Sequence, residues 1–162
     1  MDTVLAAMGF CGGSWENLAA RQRIVIPCVD DCITLLLHTD DRKASNLKQT
    51  GHFYFREPDV GEISLESMEQ RLCQSRGKAQ GRALFQQWFD PFTHIDIIDT
   101  GIYDSYAPAH LRQVQRDADL TQCAVRHVPG SIRILEKLVS GQWDEQFLIV
   151  KPGNSLAWKD FL

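Results

Sequence analysis

The stretch VIPCVDDCITLLL, Val25 to Leu37, decides how the chain is read. An apolar, β-branched run halts at Pro27. Cys28-Val29-Asp30-Asp31-Cys32 then places two thiols and two carboxylates in a row, and an apolar run of helical character follows at once. Strand, polar turn and helix in immediate succession form the elementary step of an α/β fold, in which ligand-facing residues collect after the strands.

The same step recurs along the chain. Apolar runs read as strands at about Thr3–Met8, Arg23–Ile26, Ile95–Asp99, Gln122–Arg126 and Phe147–Val150. They are near-continuous rather than alternating, as in strands buried on both faces. Helical periodicity lies between them, at Asp31–Leu37, Leu65–Phe89, Ala107–Asp119 and Ser131–Leu138. Ser64 reads as an N-cap, Asp30 or Asp31 as the cap of the helix opening at Cys32, and Gly141 as a helix stop. HFYF, His52–Phe55, reads as an extra strand or part of an insertion, and residues 51–62 as a long loop. The expectation is one α/β domain over residues 1–162, three-layered and Rossmann-like, with a mainly parallel sheet of about five strands. Thr3–Met8, Arg23–Ile26 and Ile95–Asp99 are expected side by side and parallel in that sheet.

Length and composition fit this picture. A chain of 162 residues, 44% hydrophobic and 23% charged, builds one ordinary globular core. A net charge of −4 without a basic run argues against nucleic acid and anionic membrane surfaces as partners. No apolar run approaches the ~20 residues of a membrane span, and no basic leader precedes the opening segment. Five cysteines, an odd number, point to free thiols in a reducing, cytoplasmic setting.

Chemistry is expected in the loops after the strands: GFCGGS, PCVDDC, TGIYDSY, HVPGS and KPGNS. In a parallel sheet these gather along one edge. GFCGGS has no lysine and no GxGxxG, so it is a poor phosphate loop. Cys11 there is either a small thiol in a tight turn or a reactive thiolate. Cys11, Cys28 and Cys32 together offer ligands to a soft metal, although their spacing is not CxxC…CxxC. Cys73 and Cys123 fall inside elements and read as core. Asp30 is assigned to the cap, while Asp31 and Cys32 face the ligand edge. The candidate catalytic set is Cys11, Asp31 and Cys32, with Asp99 opposite. Gly9, Gly12, Gly13, Gly101, Pro152 and Gly153 are the candidate cofactor-binding positions. Cys11 and Cys32 are expected to approach each other across neighbouring strands. The five histidines form no HxH or HExxH pattern and read as structural, and no GxSxG elbow is present.

MGFCGGSWENL, IVIPCVDDCITLLL, DTGIYDSY and LVSGQWDEQFLIVKPGNS carry a resemblance. The chain is similar, over nearly its whole length, to a bacterial and archaeal family known as a domain of unknown function. Its members often stand beside genes for corrinoid-dependent methyltransferases and their corrinoid proteins. The resemblance implies an accessory role in corrinoid-linked methyl metabolism, with a corrinoid protein or methyltransferase as partner and the thiols either holding a transition metal or corrinoid or accepting a methyl group. The alternatives are a non-enzymatic module that docks on such a partner and a small-molecule enzyme with a Cys-Asp pair. It implies a thiol at Cys11 and Cys32 and a carboxylate at Asp31. The family pattern differs at Cys28, where a basic residue is usual, at Asp30, where a histidine is usual, and at Asp59-Val60, where glycine-tryptophan is usual. Typical members also begin with a further βα segment, so this chain resembles a short member.

Overall fold

The computed structural model describes residues 2–16, 18–56 and 64–161. In chain order the elements are β1 Thr3–Leu5, β2 Arg23–Pro27, α1 Cys32–Leu37, β3 His52–Phe55, α2 Leu65–Arg76, α3 Lys78–Phe89, β4 His94–Asp99, α4 Pro108–Thr121, β5 Ala124–Pro129, α5 Arg133–Ser140 and β6 Phe147–Val150. Short 3-10 turns stand at Cys11–Gly13 and Trp158–Phe161. The class is α/β, as read from the sequence. The sheet of about five strands is not formed: the described strands make two three-stranded sheets, ordered β1-β2-β6 and β3-β4-β5. By contacts the chain divides into two compact units, Met1–Lys48 with Pro129–Leu162, and Gln49–Val128. Positions 59 and 60, and the second half of the loop expected over residues 51–62, lie outside the described residues.

In the first unit β1 runs parallel to β2, with Thr3 opposite Arg23 and Leu5 opposite Val25. β6 runs antiparallel to β2, with Val150 opposite Ile24 and Phe147 opposite Pro27. After the exposed Arg23 the β2 run is apolar, because both faces of its later residues are packed. Ile26 packs with Phe10, Val150 and Phe161, whereas Val25 packs with Leu35, Ile134 and Leu138 beneath α1 and α5. Each fully buried isoleucine contributes about 1.5–3 kcal/mol. Helix α1 opens where Asp31 accepts the N–H groups of Ile33 and Thr34 at 2.9 and 3.0 Å. Asp31 is thus the cap, not Asp30. Helix α5 stops at Gly141, whose N–H bonds back to the Lys137 carbonyl.

In the second unit the sheet is all parallel, and His52 of β3 lies opposite His94 of β4. HFYF is therefore a true strand, and β4 stands in this sheet rather than beside β1 and β2. Ile95 and Ile97 face a core of Leu65, Phe85, Phe89 and Val114 from the helices. The alternate face of β4 carries Asp96, fully buried. That carboxylate survives burial because Arg126 holds it through Nε at 2.6 Å and Nη2 at 3.0 Å, with His52 Nδ1 at 2.9 Å. The single helical stretch expected over Leu65–Phe89 is two helices. Gly77, with φ near +81°, ends α2 and starts α3. The two then pack so closely that a Cβ on Gly81 would lie 2.5 Å from the Cys73 amide nitrogen. Ser64 caps α2 by accepting the Ser67 N–H at 3.0 Å. No helix among the described residues is long and apolar enough to cross a membrane.

Candidate functional site

The loops after β1 and β2 are bound to each other because their strands are parallel neighbours. Phe10 N–H donates to the Val29 carbonyl at 2.9 Å, and Cys11 N–H donates to the Asp30 carbonyl at 2.7 Å. Gly9 makes this approach possible. A Cβ there would sit 2.5 Å from the Val29 oxygen and 2.9 Å from the Asp31 nitrogen. Gly9 thus lets two backbones touch.

That contact carries Cys11 to the start of α1. The Cys11 sulfur accepts backbone hydrogen bonds from Gly9 and Cys32, and it feels the charges of Cys32 and Asp31. Burial pushes the Cys11 thiol above its ordinary value, Cys32 and Asp31 push the same way, and the two backbone bonds offset part of the rise. Cys11 and Cys32 are both half-buried. The fold thus brings together Cys11, Asp31 and Cys32.

Asp31 is fully engaged. Its Oδ1 caps α1, and its Oδ2 meets Lys48 Nζ at 2.7 Å. Lys48 also bridges to Asp30 at 2.5 Å and reaches the buried Thr34 hydroxyl at 3.4 Å. Burial pulls the Lys48 pKa down, but hydrogen bonds to Asp30 and Asp31 outweigh it and raise it. One Asp30 oxygen, Oδ1, is buried without a hydrogen-bond partner. Lys48 escaped sequence reading because it lies 17 residues past Asp31 in a segment with no motif.

The other expected members are placed elsewhere. The Cys28 thiol is buried against the carbonyls of Phe161 and Asp160, at 3.5 and 3.7 Å. Burial raises its pKa, and nearby Lys43 opposes the rise. Among the described residues no three His, Cys, Asp or Glu side chains form a metal-holding group. The three-thiol ligand set expected from Cys11, Cys28 and Cys32 is not assembled, and two thiols fall short of a tetrahedral site. Asp99 ends β4 in the other sheet, where its Oδ1 accepts the Gly101 N–H at 3.2 Å. Gly12 and Gly13 sit in the 3-10 turn beside Cys11, and a Cβ on Gly12 would meet no atom within 4 Å. Pro152 and Gly153 lie at the opposite end of the first sheet, since β6 is antiparallel: the Gly153 N–H bonds to the Ala20 carbonyl, near the start of β2. Cys123 is buried as expected, but Cys73 is only half-buried, its sulfur against the Lys78 carbonyl at 3.6 Å.

The Asp96–Arg126–His52 cluster was missed because its three members come from three strands and no local motif announces them. His52 also stacks on His94, with ring centroids 4.5 Å apart and planes 7° from parallel. These in-line rings sit side by side because His52 and His94 are register partners.

No curated protein matches the chain, and no solved structure does. Residues 1–139 match the family described as "Protein of unknown function (DUF1638)", so the chain belongs to that family.

Proposed function

We propose that the chain is an accessory protein of corrinoid-linked methyl metabolism that accepts a methyl group on the Cys11–Cys32 thiol pair. The metabolic setting rests on the resemblance described above. The hydrogen bond from the Cys11 N–H to the Asp30 carbonyl at 2.7 Å, which brings Cys11 to the start of α1 where Cys32 stands, is the observation that carries the site. Two thiols at neighbouring loop ends with unequal roles suit methyl acceptance. Burial raises the Cys11 pKa, which favours its thiol form over the thiolate. Cys32 is the reacting sulfur: its thiolate attacks the methyl carbon, the donor's bond to that carbon breaks, and the electron pair stays on the donor. No base is required of Asp31, whose oxygens hold α1 and Lys48.

Incubating the protein with methylcobalamin, followed by mass analysis of the peptides, tests this. One added methyl on the Cys32 peptide is expected, absent in Cys32→Ser and slowed in Cys11→Ser. A Cys32 that stays unmethylated, and is labelled by thiol reagents no faster than Cys73, would sink the proposal.

The engaged Asp31 carboxylate favours a second reading, a non-enzymatic module that docks on a corrinoid protein or methyltransferase. That reading expects a stable complex unaffected by Cys32→Ser.

A further inference from the structure

The β3-β4-β5 sheet is all parallel, so its strands end along one edge, the edge at which open α/β sheets take ligands. The DTGIYDSY stretch, Asp99 to Tyr106, leaves β4 at that edge and leads into α4. Two side chains there are buried with polar atoms that no protein group pairs. Ser105 is 1% exposed and its Oγ has no partner. His110, in the first turn of α4, is 4% exposed, and neither Nδ1 nor Nε2 has one. Buried polar groups almost always have a hydrogen-bond partner, from the protein or from a bound molecule such as water. Three unpaired atoms on two side chains five residues apart therefore call for a partner from outside the fold.

The surroundings define its chemistry. His127 of β5 holds the Ser105 carbonyl through Nε2 at 3.1 Å. A carbonyl only accepts, so His127 carries its hydrogen on Nε2. His127 is close enough to His110 to act on its charge, and burial first, His127 second, lower the His110 pKa and so favour the neutral ring. A neutral His110 offers one N–H donor and one acceptor, and Ser105 offers an O–H. Helix α4 runs for 14 residues from Pro108, and Ala107 at its N-cap provides no capping side chain. The positive end of that dipole is left for a ligand. Tyr103 meets the His110 ring edge-on at 6.0 Å, and the exposed Tyr106 stacks on His127 at 4.0 Å, so aromatic rings wall the place. The carboxylates of the loop are tied to its own backbone: Asp99 accepts from Gly101 and Asp104 from Tyr106.

We infer that this edge binds the oxyanion of a small molecule, a carboxylate or phosphate group, with the Ser105 hydroxyl and the His110 ring N–H donating to it at the uncapped start of α4. The site belongs to a different sheet from the thiol pair and stands without it.

The test is a titration of the whole protein, isotope-labelled at histidine and followed by NMR of the ring C–H signals. Acetate and inorganic phosphate are the two probes, and sodium chloride controls for ionic strength. A saturable shift of the His110 and His127 signals is expected with at least one probe and not with chloride; the tighter probe identifies which group the site prefers. Ser105→Ala should weaken it about tenfold or more, the usual effect of losing a hydrogen bond to a charged group. His110→Phe should abolish it and melt no lower than the parent, because it removes two unpaired buried atoms and keeps a ring of similar size. No saturable shift with either probe, or one that Ser105→Ala leaves unchanged, overturns the inference. A His110→Phe protein that melts well below the parent overturns it too, since His110 would then be satisfied within the fold.

Discussion

Replacing Gly9 by alanine tests whether the thiol pair depends on backbone contact. The added Cβ would lie 2.5 Å from the Val29 carbonyl oxygen and 2.9 Å from the Asp31 nitrogen, both main-chain atoms that cannot rotate away. The loops after β1 and β2 must therefore separate. Separation breaks the Phe10–Val29 and Cys11–Asp30 hydrogen bonds, 2.9 and 2.7 Å long. Each such bond contributes about 0.5–1.5 kcal/mol net. Forcing an extra carbon into a packed place costs about 1–3 kcal/mol more. The expected loss is then about 2–6 kcal/mol, a large part of the ~5–15 kcal/mol that holds a typical domain. Urea unfolding followed by tryptophan fluorescence measures it, and Trp15 reports locally because its indole N–H donates to the Gly9 carbonyl at 3.0 Å. Gly12→Ala is the control. Gly12 has φ near +64° and open space around it, so alanine there costs only the roughly 1–2 kcal/mol of a left-handed L residue. Thiol labelling of Cys11 and Cys32 completes the measurement, and both rates should change in Gly9→Ala. If Gly9→Ala loses no more stability than Gly12→Ala and leaves both rates alone, the loops do not touch as described.

Two further outcomes follow from the packing and the charges. Gly81→Ala should destabilise the protein by about 1–3 kcal/mol, although alanine is the better helix former by ~1 kcal/mol, because its Cβ meets Cys73 and Leu72 main-chain atoms at 2.5–2.6 Å; a gain in thermal stability would refute the close α2–α3 contact. Asp41 is held down to about 2 by hydrogen bonds from Arg133 and Lys137; its folded value lies below the unfolded 3.8, so its contribution is present above that value and disappears as pH falls towards 2. Asp41→Asn should therefore be less stable than the parent near neutrality and converge with it in acid, as urea midpoints taken across that range will show; a constant difference at every pH would refute the assignment.

What could be read from the sequence was whatever is decided within about ten residues. Pro27, the aspartate cap and the apolar run fix β2 and α1, because each is a local choice of backbone conformation. Ser64 and Gly141 were legible for the same reason. The choice between Asp30 and Asp31 was not. Either can cap a helix, and Lys48 binds both, so the choice rests on the turn's backbone, which aims Asp31 Oδ1 at the Ile33 and Thr34 N–H groups. Cys73 was misjudged because helical period says which residues share a face but not what covers that face. In α2 the cover is α3, which meets Cys73 through the bare Gly81 and leaves the thiol half exposed. The histidines looked unrelated along the chain because their grouping is a property of strand register, as with His52 and His94, or of a loop returning over a neighbouring strand, as with Ser105 and His127.

Strand direction, more than strand position, settled which expected site residues could meet. FLIV was found where it was sought, at Phe147–Val150, but an apolar run has no sense of direction. Because β6 is antiparallel to β2, the chain leaves it at the end where β2 begins, and Pro152-Gly153 closes a turn against Ala20 instead of joining the thiols. β1 and β2 are parallel, so the loops that follow them emerge at one end, and Cys11 meets Cys32 although 21 residues separate them. The same rule acts in the other sheet, where the parallel β4 and β5 bring the DTGIYDSY loop to His127. Polar residues placed after a strand become neighbours only when the strands beside it run the same way. The thiol pair and the Ser105–His110 edge both meet that condition, and Pro152-Gly153, with the same turn chemistry in sequence, does not.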